Sequence, residues 1–275
     1  MLIKPRYDPP GIVALDGDAD AIREPLVRQR RRLAAIGAGL TAEEWVAPSR
    51  CEGWSVQDVF AHLAGVDRFW AMSVESGLAG SPTRVLGGFD PATTPAVMVD
   101  AARDQTPAET LAEFVGACEQ FVTRIEGLEP ADFERVAESP PGHVTIGALA
   151  SHALWDAWTH ERDILEPLGR RQIGEADEIE ACLRYAAAMG PALQLQTSAS
   201  RPGSYSIVAT DPAIACTLVI EDSVRVQAGA TSNVPTLTGS AIELTEALTM
   251  RAPLGSDAPI EWHELRSGLA TVFDQ

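Results

Sequence analysis

Histidine and carboxylate side chains recur at helical spacing in the segment SHALWDAWTHERDIL. His152, Asp156 and His160 follow one another in steps of four residues, so on a helix the three side chains lie along one face. A carboxylate and an imidazole one turn apart can both reach the same divalent ion. The spacing therefore indicates that Asp156 and His160 form one half of a metal site.

Such a pair needs a third ligand from another helix, and His62 is the strongest candidate. It lies in the first half of a second predicted helix, one turn after Val59, on the stripe that faces the core. Metal sites in helical bundles are built from such inward-facing side chains. Spacing alone leaves two alternatives open: a hydrogen-bonded core histidine, or a surface pair of Asp58 with His62. His143 and His263 lie near turn signals and are interpreted as surface residues.

Long helices are needed to position these residues, and the first part of the chain contains the signals for them. Ser55 and Asp58 resemble a capping box. The sequence TPAE from Thr106 is a stronger start signal, with a cap, a proline and an acid in the expected order. Residues 76–105 are predicted to be a connecting loop. The predicted helices are Asp18–Leu40, Ser55–Ser76, one that begins at Thr106, Ile146–Glu166, and Ala176–Met189, which Gly190 and Pro191 break or kink.

The character of the sequence changes near residue 200. Short runs rich in Val, Ile and Thr are separated by turn signals and predict an antiparallel meander, followed by two helices. The sequence thus predicts an α+β protein with a helical bundle in residues 1–198 and a small α+β domain with an antiparallel sheet in residues 199–275. The predicted strands are Ser204–Ala209, Ala215–Ile220, Val224–Ala228 and Val234–Leu237, and the predicted helices are Ala241–Met250 and Ile260–Phe273.

Composition restricts the possible partners. The chain has 275 residues, and 21 basic against 39 acidic side chains leave a formal charge of −18. So negative a protein is not expected to bind nucleic acid or anionic membranes. No apolar run is long enough for a transmembrane helix, and the N-terminus does not resemble a signal peptide. The four cysteines are far apart, which predicts reduced, mostly buried thiols in a cytoplasmic protein.

Two segments closely resemble the mycothiol-dependent maleylpyruvate isomerase family, part of the DinB-like superfamily of metal-dependent, thiol-using four-helix bundles. Ser49–Ala64, SRCEGWSVQDVFAHLA, carries the stronger motif, and Trp155–Ile164, WDAWTHERDI, carries the second. The resemblance covers most of residues 20–200. The tail resembles the small sterol-carrier-protein-like C-terminal domain of the family.

The resemblance implies roles for individual residues. His62 matches the first metal ligand, Asp156 the carboxylate ligand and His160 the second histidine. Asp156 stands where the isomerase itself has Glu, which shortens the reach of the carboxylate by one methylene. His152 has no fixed role and is either an alternative ligand or a neighbour of the ligands. Arg251 falls where the family often has an Arg that could bind a substrate carboxylate, the alternative being a solvated arginine at a helix end.

Two imidazoles and one carboxylate leave an open coordination position, as in catalytic zinc sites. In the family this position is thought to take a thiol cofactor, mycothiol, whose pKa the metal lowers. The resemblance therefore implies an isomerase or S-transferase for a small electrophile, monomeric or homodimeric. Zinc is favoured, with Ni, Fe and Mn as other candidates. The alternatives are a non-catalytic metal- or lipid-binding module and a metal-dependent hydrolase.

Overall fold

Four long helices form a bundle in the first part of the computed structural model, which describes residues 3–9, 11–91, 93–197 and 201–273. Each of these helices packs against two of the others, in the cyclic order Arg23–Ala38, Pro107–Glu126, Val56–Leu78 and Ile146–Leu165, and this arrangement confirms the predicted bundle. None of the helices within the described ranges combines the length and apolar character that a membrane span requires. The six helices of this part are α1 (Arg23–Ala38), α2 (Ala42–Trp45), α3 (Val56–Leu78), α4 (Thr94–Asp100), α5 (Pro107–Glu126) and α6 (Ile146–Leu165).

Side-chain caps fix the first residues of the bundle helices. The Ser55 hydroxyl accepts a hydrogen bond from the backbone amide of Asp58, and the Asp58 carboxylate accepts one from the Ser55 amide at 2.8 Å. Thr106 and Glu109 form the same reciprocal pair at the start of α5. Thr145 accepts from the amide three residues further on and caps α6. The caps set where α3 and α6 begin, and these two helices carry the candidate metal ligands.

The connections between the bundle helices contain ordered elements that the sequence did not indicate. The predicted loop at 76–105 contains α4, and a short hairpin of β2 (Val136–Ser139) and β3 (Gly142–Thr145) precedes α6. Ser73 on α3 binds this hairpin, because its hydroxyl lies 2.8 Å from both the amide and the carbonyl of Glu138. The hairpin is thereby tied to the bundle.

The five-stranded sheet is mixed. Its order is β1-β6-β5-β4-β7, and the three central strands are antiparallel, as predicted. The two edge strands, β1 and β7, run parallel to their neighbours. Because β1 comes from the N-terminal part of the chain, the sheet contains segments from both sides of residue 198. The predicted division of the chain into two domains at that residue stays a prediction. The strands are β1 (Val13–Leu15), β4 (Gly203–Thr210), β5 (Ile214–Ile220), β6 (Val224–Ala228) and β7 (Thr236–Ser240).

A long helix joins the bundle to the sheet. The helix α7 (Ala176–Thr197) packs against α1 and α6 on the bundle side, and against the sheet, α8 (Ala241–Leu248) and α9 (Ile260–Phe273) on the other. The expected end at Gly190 and Pro191 is wrong, since α7 continues to Thr197. A Cβ at Gly190 would lie 2.4 Å from the Leu265 carbonyl oxygen, so α9 crosses α7 closely at this glycine. This packing offsets the hydrogen bond that the proline removes.

Candidate metal centre

His62 on α3 faces Asp156 and His160 on α6 across the bundle. One potential ligand atom from each of the three side chains lies within 4.8 Å of the other two. His160 Nε2 is 3.7 Å from Asp156 Oδ1, and the two imidazole ring centroids are 4.9 Å apart. The fold therefore brings together the three ligands predicted from the sequence, although they come from two helices about 100 residues apart.

Two polar atoms of this cluster are buried without a partner. His62 Nδ1 and Asp156 Oδ2 have no hydrogen-bond partner among the described residues. Each such atom costs about 1–3 kcal/mol of stability. Burial opposes a charge on Asp156, but His160 and His62 outweigh it and lower the pKa of this carboxyl. Two imidazoles and one carboxylate with unused lone pairs are a donor set that fits a divalent cation, zinc above all.

The two histidines of the cluster differ in their protonation. Burial lowers the pKa of His62 to about 4, so this imidazole is neutral at pH 7 and can act as a ligand. Burial also opposes a charge on His160, but the sulfur of Cys51 and the hydrogen bond to Asp163 raise its pKa. A cation must therefore displace a proton from His160 when it binds.

A second group of polar side chains lies on the other edge of the His160 ring. Asp163 Oδ2 accepts a hydrogen bond from His160 Nδ1 at 3.1 Å and from Arg251 Nη2 at 2.8 Å, and the Cys51 sulfur is 3.3 Å away. Arg50 Nε is 3.1 Å from Asp163 Oδ1. Burial opposes the charge on Asp163, but His160 and Arg251 hold its pKa well below the usual range.

Geometry alone would allow an ion in this second group too, because the ligand atoms of Cys51, His160 and Asp163 also lie within 4.8 Å of one another. Charge decides between the two groups. Asp163 is already paired with two guanidinium groups, which repel a cation, whereas Asp156 has an unpartnered oxygen. The His62, Asp156 and His160 cluster is therefore the better candidate metal centre.

Comparison with known proteins identifies the family of this chain. Residues 26–165, just over half of the chain, match the family described as the mycothiol maleylpyruvate isomerase N-terminal domain. The chain belongs to this family. The matched range contains all three candidate ligands and confirms the resemblance that the two sequence motifs indicated.

Individual relatives and solved structures are similar to the chain over different lengths. Two uncharacterized proteins from strains of Mycobacterium tuberculosis are 28% identical to the chain over 141 residues, which is 50% of this chain and 52% of each relative. The chain thus spans about half the length of these curated relatives. Crystal structures of the mycothiol-dependent maleylpyruvate isomerase and of a histidine-to-alanine mutant have TM-scores of 0.56 and 0.57, with 13% identity over 87% of this chain and 90% of theirs. At this identity the likeness shows the fold.

Other residues of this isomerase-family protein lie differently from what spacing indicated. Arg251 is no solvated helix-end residue, since its Nε and Nη2 contact Asp163. Its Nη1 has no hydrogen-bond partner in the described part of the chain. His152 belongs to neither ligand group, and its Nδ1 lies 2.6 Å from the Tyr185 hydroxyl. His143 is buried rather than on the surface, with its ring nitrogens near two backbone carbonyl oxygens.

Sequence reasoning missed Cys51 and Arg50 at the site. Both contact Asp163, and Cys51 is the one cysteine of the four that is not fully buried. The only signal was their position inside the motif SRCEGW, in the turn just before α3. Neither residue type at that place predicts a contact with a side chain more than 100 residues away.

A groove of about 530 Å³ lies beside this site, between the end of α6 and the C-terminal region. Its walls come from β7, α8 and residues 252–259, with Arg162 and Glu166 on the bundle side. Arg162 and Glu246 line it and form an ion pair of 2.6 Å. Glu246 also pairs with Arg50 at 2.8 Å, so the groove and the candidate metal centre share one network of charges.

Proposed function

We propose that this protein is a metal-dependent enzyme that uses a mycothiol-type thiol and acts on a small electrophile, as an isomerase or S-transferase. The observation that carries the proposal is the convergence of two unpartnered buried atoms, His62 Nδ1 and Asp156 Oδ2, beside His160. Membership of the mycothiol maleylpyruvate isomerase family supports the choice of thiol chemistry. Zinc is the preferred metal, and nickel, iron or manganese would suit similar ligands.

The ligands would be His62, Asp156 and His160. Zinc bound there would lower the pKa of a coordinated thiol, so that the nucleophilic thiolate exists at neutral pH. The chain itself contributes orientation and charge: His160 is held through its Nδ1 by Asp163, and the neighbouring histidines lower the pKa of the partly buried Asp156. The nucleophile belongs to the thiol cofactor, so the chain need not provide one.

Two features of the site suit a small acidic electrophile. Arg251 lies within hydrogen-bond reach of Asp163 beside His160 and keeps Nη1 for another acceptor, such as a substrate carboxylate. The neighbouring groove has room for the bulk of a low-molecular-weight thiol, which the packed bundle interior lacks. We therefore propose maleylpyruvate, the substrate in the name of the structural neighbours, as the first compound to test.

The experiment compares zinc-loaded protein with maleylpyruvate in the presence and absence of mycothiol. Thiol-dependent formation of the trans isomer is expected, and release of a stable thiol adduct would instead identify an S-transferase. Consumption of the electrophile by water alone would indicate a hydrolase. A protein that folds but binds none of Zn, Ni, Fe or Mn would contradict the proposal and favour a binding module.

A further inference from the structure

The second ring nitrogen of His160 is held by a buried carboxylate. His160 Nδ1 lies 3.1 Å from Asp163 Oδ2, one turn further along α6. Asp163 is 0% exposed, so no solvent competes for this contact. A carboxylate that accepts the second N–H of a ligating histidine sets the tautomer and the direction of the ring. Asp163 thus directs Nε2 of His160 toward Asp156.

Asp163 is itself held by two arginines from distant parts of the chain. Arg251, just after α8, forms a two-pronged contact, with Nε 3.0 Å from Oδ1 and Nη2 2.8 Å from Oδ2. Arg50, in the turn before α3, reaches Oδ1 at 3.1 Å. The planar guanidinium of Arg251 matches the plane of the carboxylate and blocks its rotation.

We propose that Arg251 acts through Asp163 as a positioning residue for His160, so that the C-terminal region completes the candidate metal centre. The proposal rests on the proposed function above, because it takes His160 as a metal ligand. It assigns Arg251 an effect on metal affinity that is separate from any contact with a substrate. The relay runs from Arg251 through Asp163 to His160 on α6, and the Cys51 sulfur lies beside it, 3.7 Å from Arg251 Nη2 and 3.6 Å from His160 Nδ1.

The direction of the change in zinc affinity distinguishes positioning of Asp163 by Arg251 from a purely electrostatic effect of the Arg251 charge. If Arg251 acted on the metal only by its charge, its removal would strengthen cation binding, and Arg251→Lys would change nothing. If it positions Asp163, both Arg251→Gln and Arg251→Lys weaken metal binding, because neither side chain forms the fork. The charge-conserving lysine variant is therefore the decisive one.

The test measures the zinc dissociation constant of the full-length protein by competition with a chromophoric chelator. Asp163→Asn is expected to weaken zinc binding about 10–100-fold, and each Arg251 variant up to about 10-fold. In the double variant Asp163→Asn with Arg251→Lys, the loss should not exceed that of Asp163→Asn alone. Circular dichroism on each variant establishes that it is folded, and if Asp163→Asn fails to fold, the Arg251 variants decide.

Arg225→Gln is the matched control. It breaks an ion pair between β6 and the N-terminal segment, with Asp16 at 2.7 Å, and Arg225 contacts neither Asp163 nor its arginine partners. Its zinc affinity should equal that of the wild type. Unchanged or tighter zinc binding in Arg251→Lys and Arg251→Gln overturns the relay and leaves the proposed function standing. A wild-type protein that binds none of Zn, Ni, Fe and Mn overturns both.

Discussion

Two clusters of buried polar side chains lie inside the same helical bundle, and they differ in how completely they are paired. In the first, Arg30 and Asp67 are both 0% exposed. Arg30 donates to both Asp67 oxygens at 2.9–3.1 Å, to the Gln29 side chain at 2.7 Å and to the Ala153 carbonyl at 3.0 Å. No side-chain nitrogen or oxygen of these residues is left without a partner within the described ranges.

The second cluster, His62, Asp156 and His160, is incomplete and less enclosed, with 12% of the His160 side chain and 19% of the Asp156 side chain exposed. Its unpartnered atoms, His62 Nδ1 and Asp156 Oδ2, face no donor or acceptor of the described chain. Folded proteins pair their buried polar groups, and an exception calls for a ligand or a function. The Arg30 and Asp67 cluster is thus a structural element, and the unpaired cluster is a candidate binding site for a ligand from outside the chain.

The largest effect should come from removing one ligand of the incomplete cluster. His62→Ala should abolish stoichiometric zinc binding and thiol-dependent turnover, because it deletes one of three ligands. Secondary structure should change little, since the neighbouring core is aliphatic and aromatic. Metal analysis and circular dichroism test this, with His152→Gln as the control that retains zinc. Global unfolding of His62→Ala would instead mean that the cluster is needed to maintain the fold.

Breaking the complete cluster should affect stability rather than metal content. Asp67→Ala leaves the Arg30 charge buried without its partner and should lower the free energy of unfolding by about 3–5 kcal/mol. Urea unfolding measures the loss. The control, Glu113→Ala, removes an ion pair with Arg68 in which both side chains are largely exposed, and it should change stability by no more than about 1 kcal/mol. A loss of zinc from folded Asp67→Ala would contradict the separation of the two clusters.

Zinc itself should stabilise the protein by filling the incomplete cluster. At a free concentration 100 times the dissociation constant, the free energy of unfolding should rise by about 2.7 kcal/mol. Thermal unfolding with and without zinc measures this gain. The same addition to His62→Ala should produce no shift, and an equal shift there would mean that zinc binds elsewhere.

Acid should weaken the fold through a neighbouring histidine. Burial lowers the pKa of His152 to about 4, whereas an unfolded histidine titrates near 6.5. As the pH falls below 6.5 the unfolded chain takes up the proton first, so stability is full above that pH and is lost toward pH 4. The difference in unfolding free energy between pH 7 and pH 5 should be about 2 kcal/mol smaller in His152→Gln. An equal difference in the wild type and in His152→Gln would contradict the assignment of this pH dependence to His152.

Local signals were sufficient for the elements that carry the site. Capping residues such as Ser55 and Thr106 act on amides within one turn, so the starts of α3 and α5 could be predicted. The candidate ligands could be predicted because four-residue spacing places Asp156 and His160 on one face, and because the motif around His62 is that of a known family. The fold class and the family followed from the same signals and are confirmed by the family match.

Tertiary structure alone decided what surrounds the ligands. The β1 strand pairs with a strand about 210 residues away, and nothing in its three residues records that partner. In the sequence, Arg251 cannot be distinguished from a solvated arginine at a helix end, and only the fold shows that it pairs with Asp163. Cys51 and Arg50 enter the site for the same reason. Hydrogen bonds and ion pairs between distant segments depend on where the backbone brings the side chains, and periodicity and capping, which are local, do not encode that position.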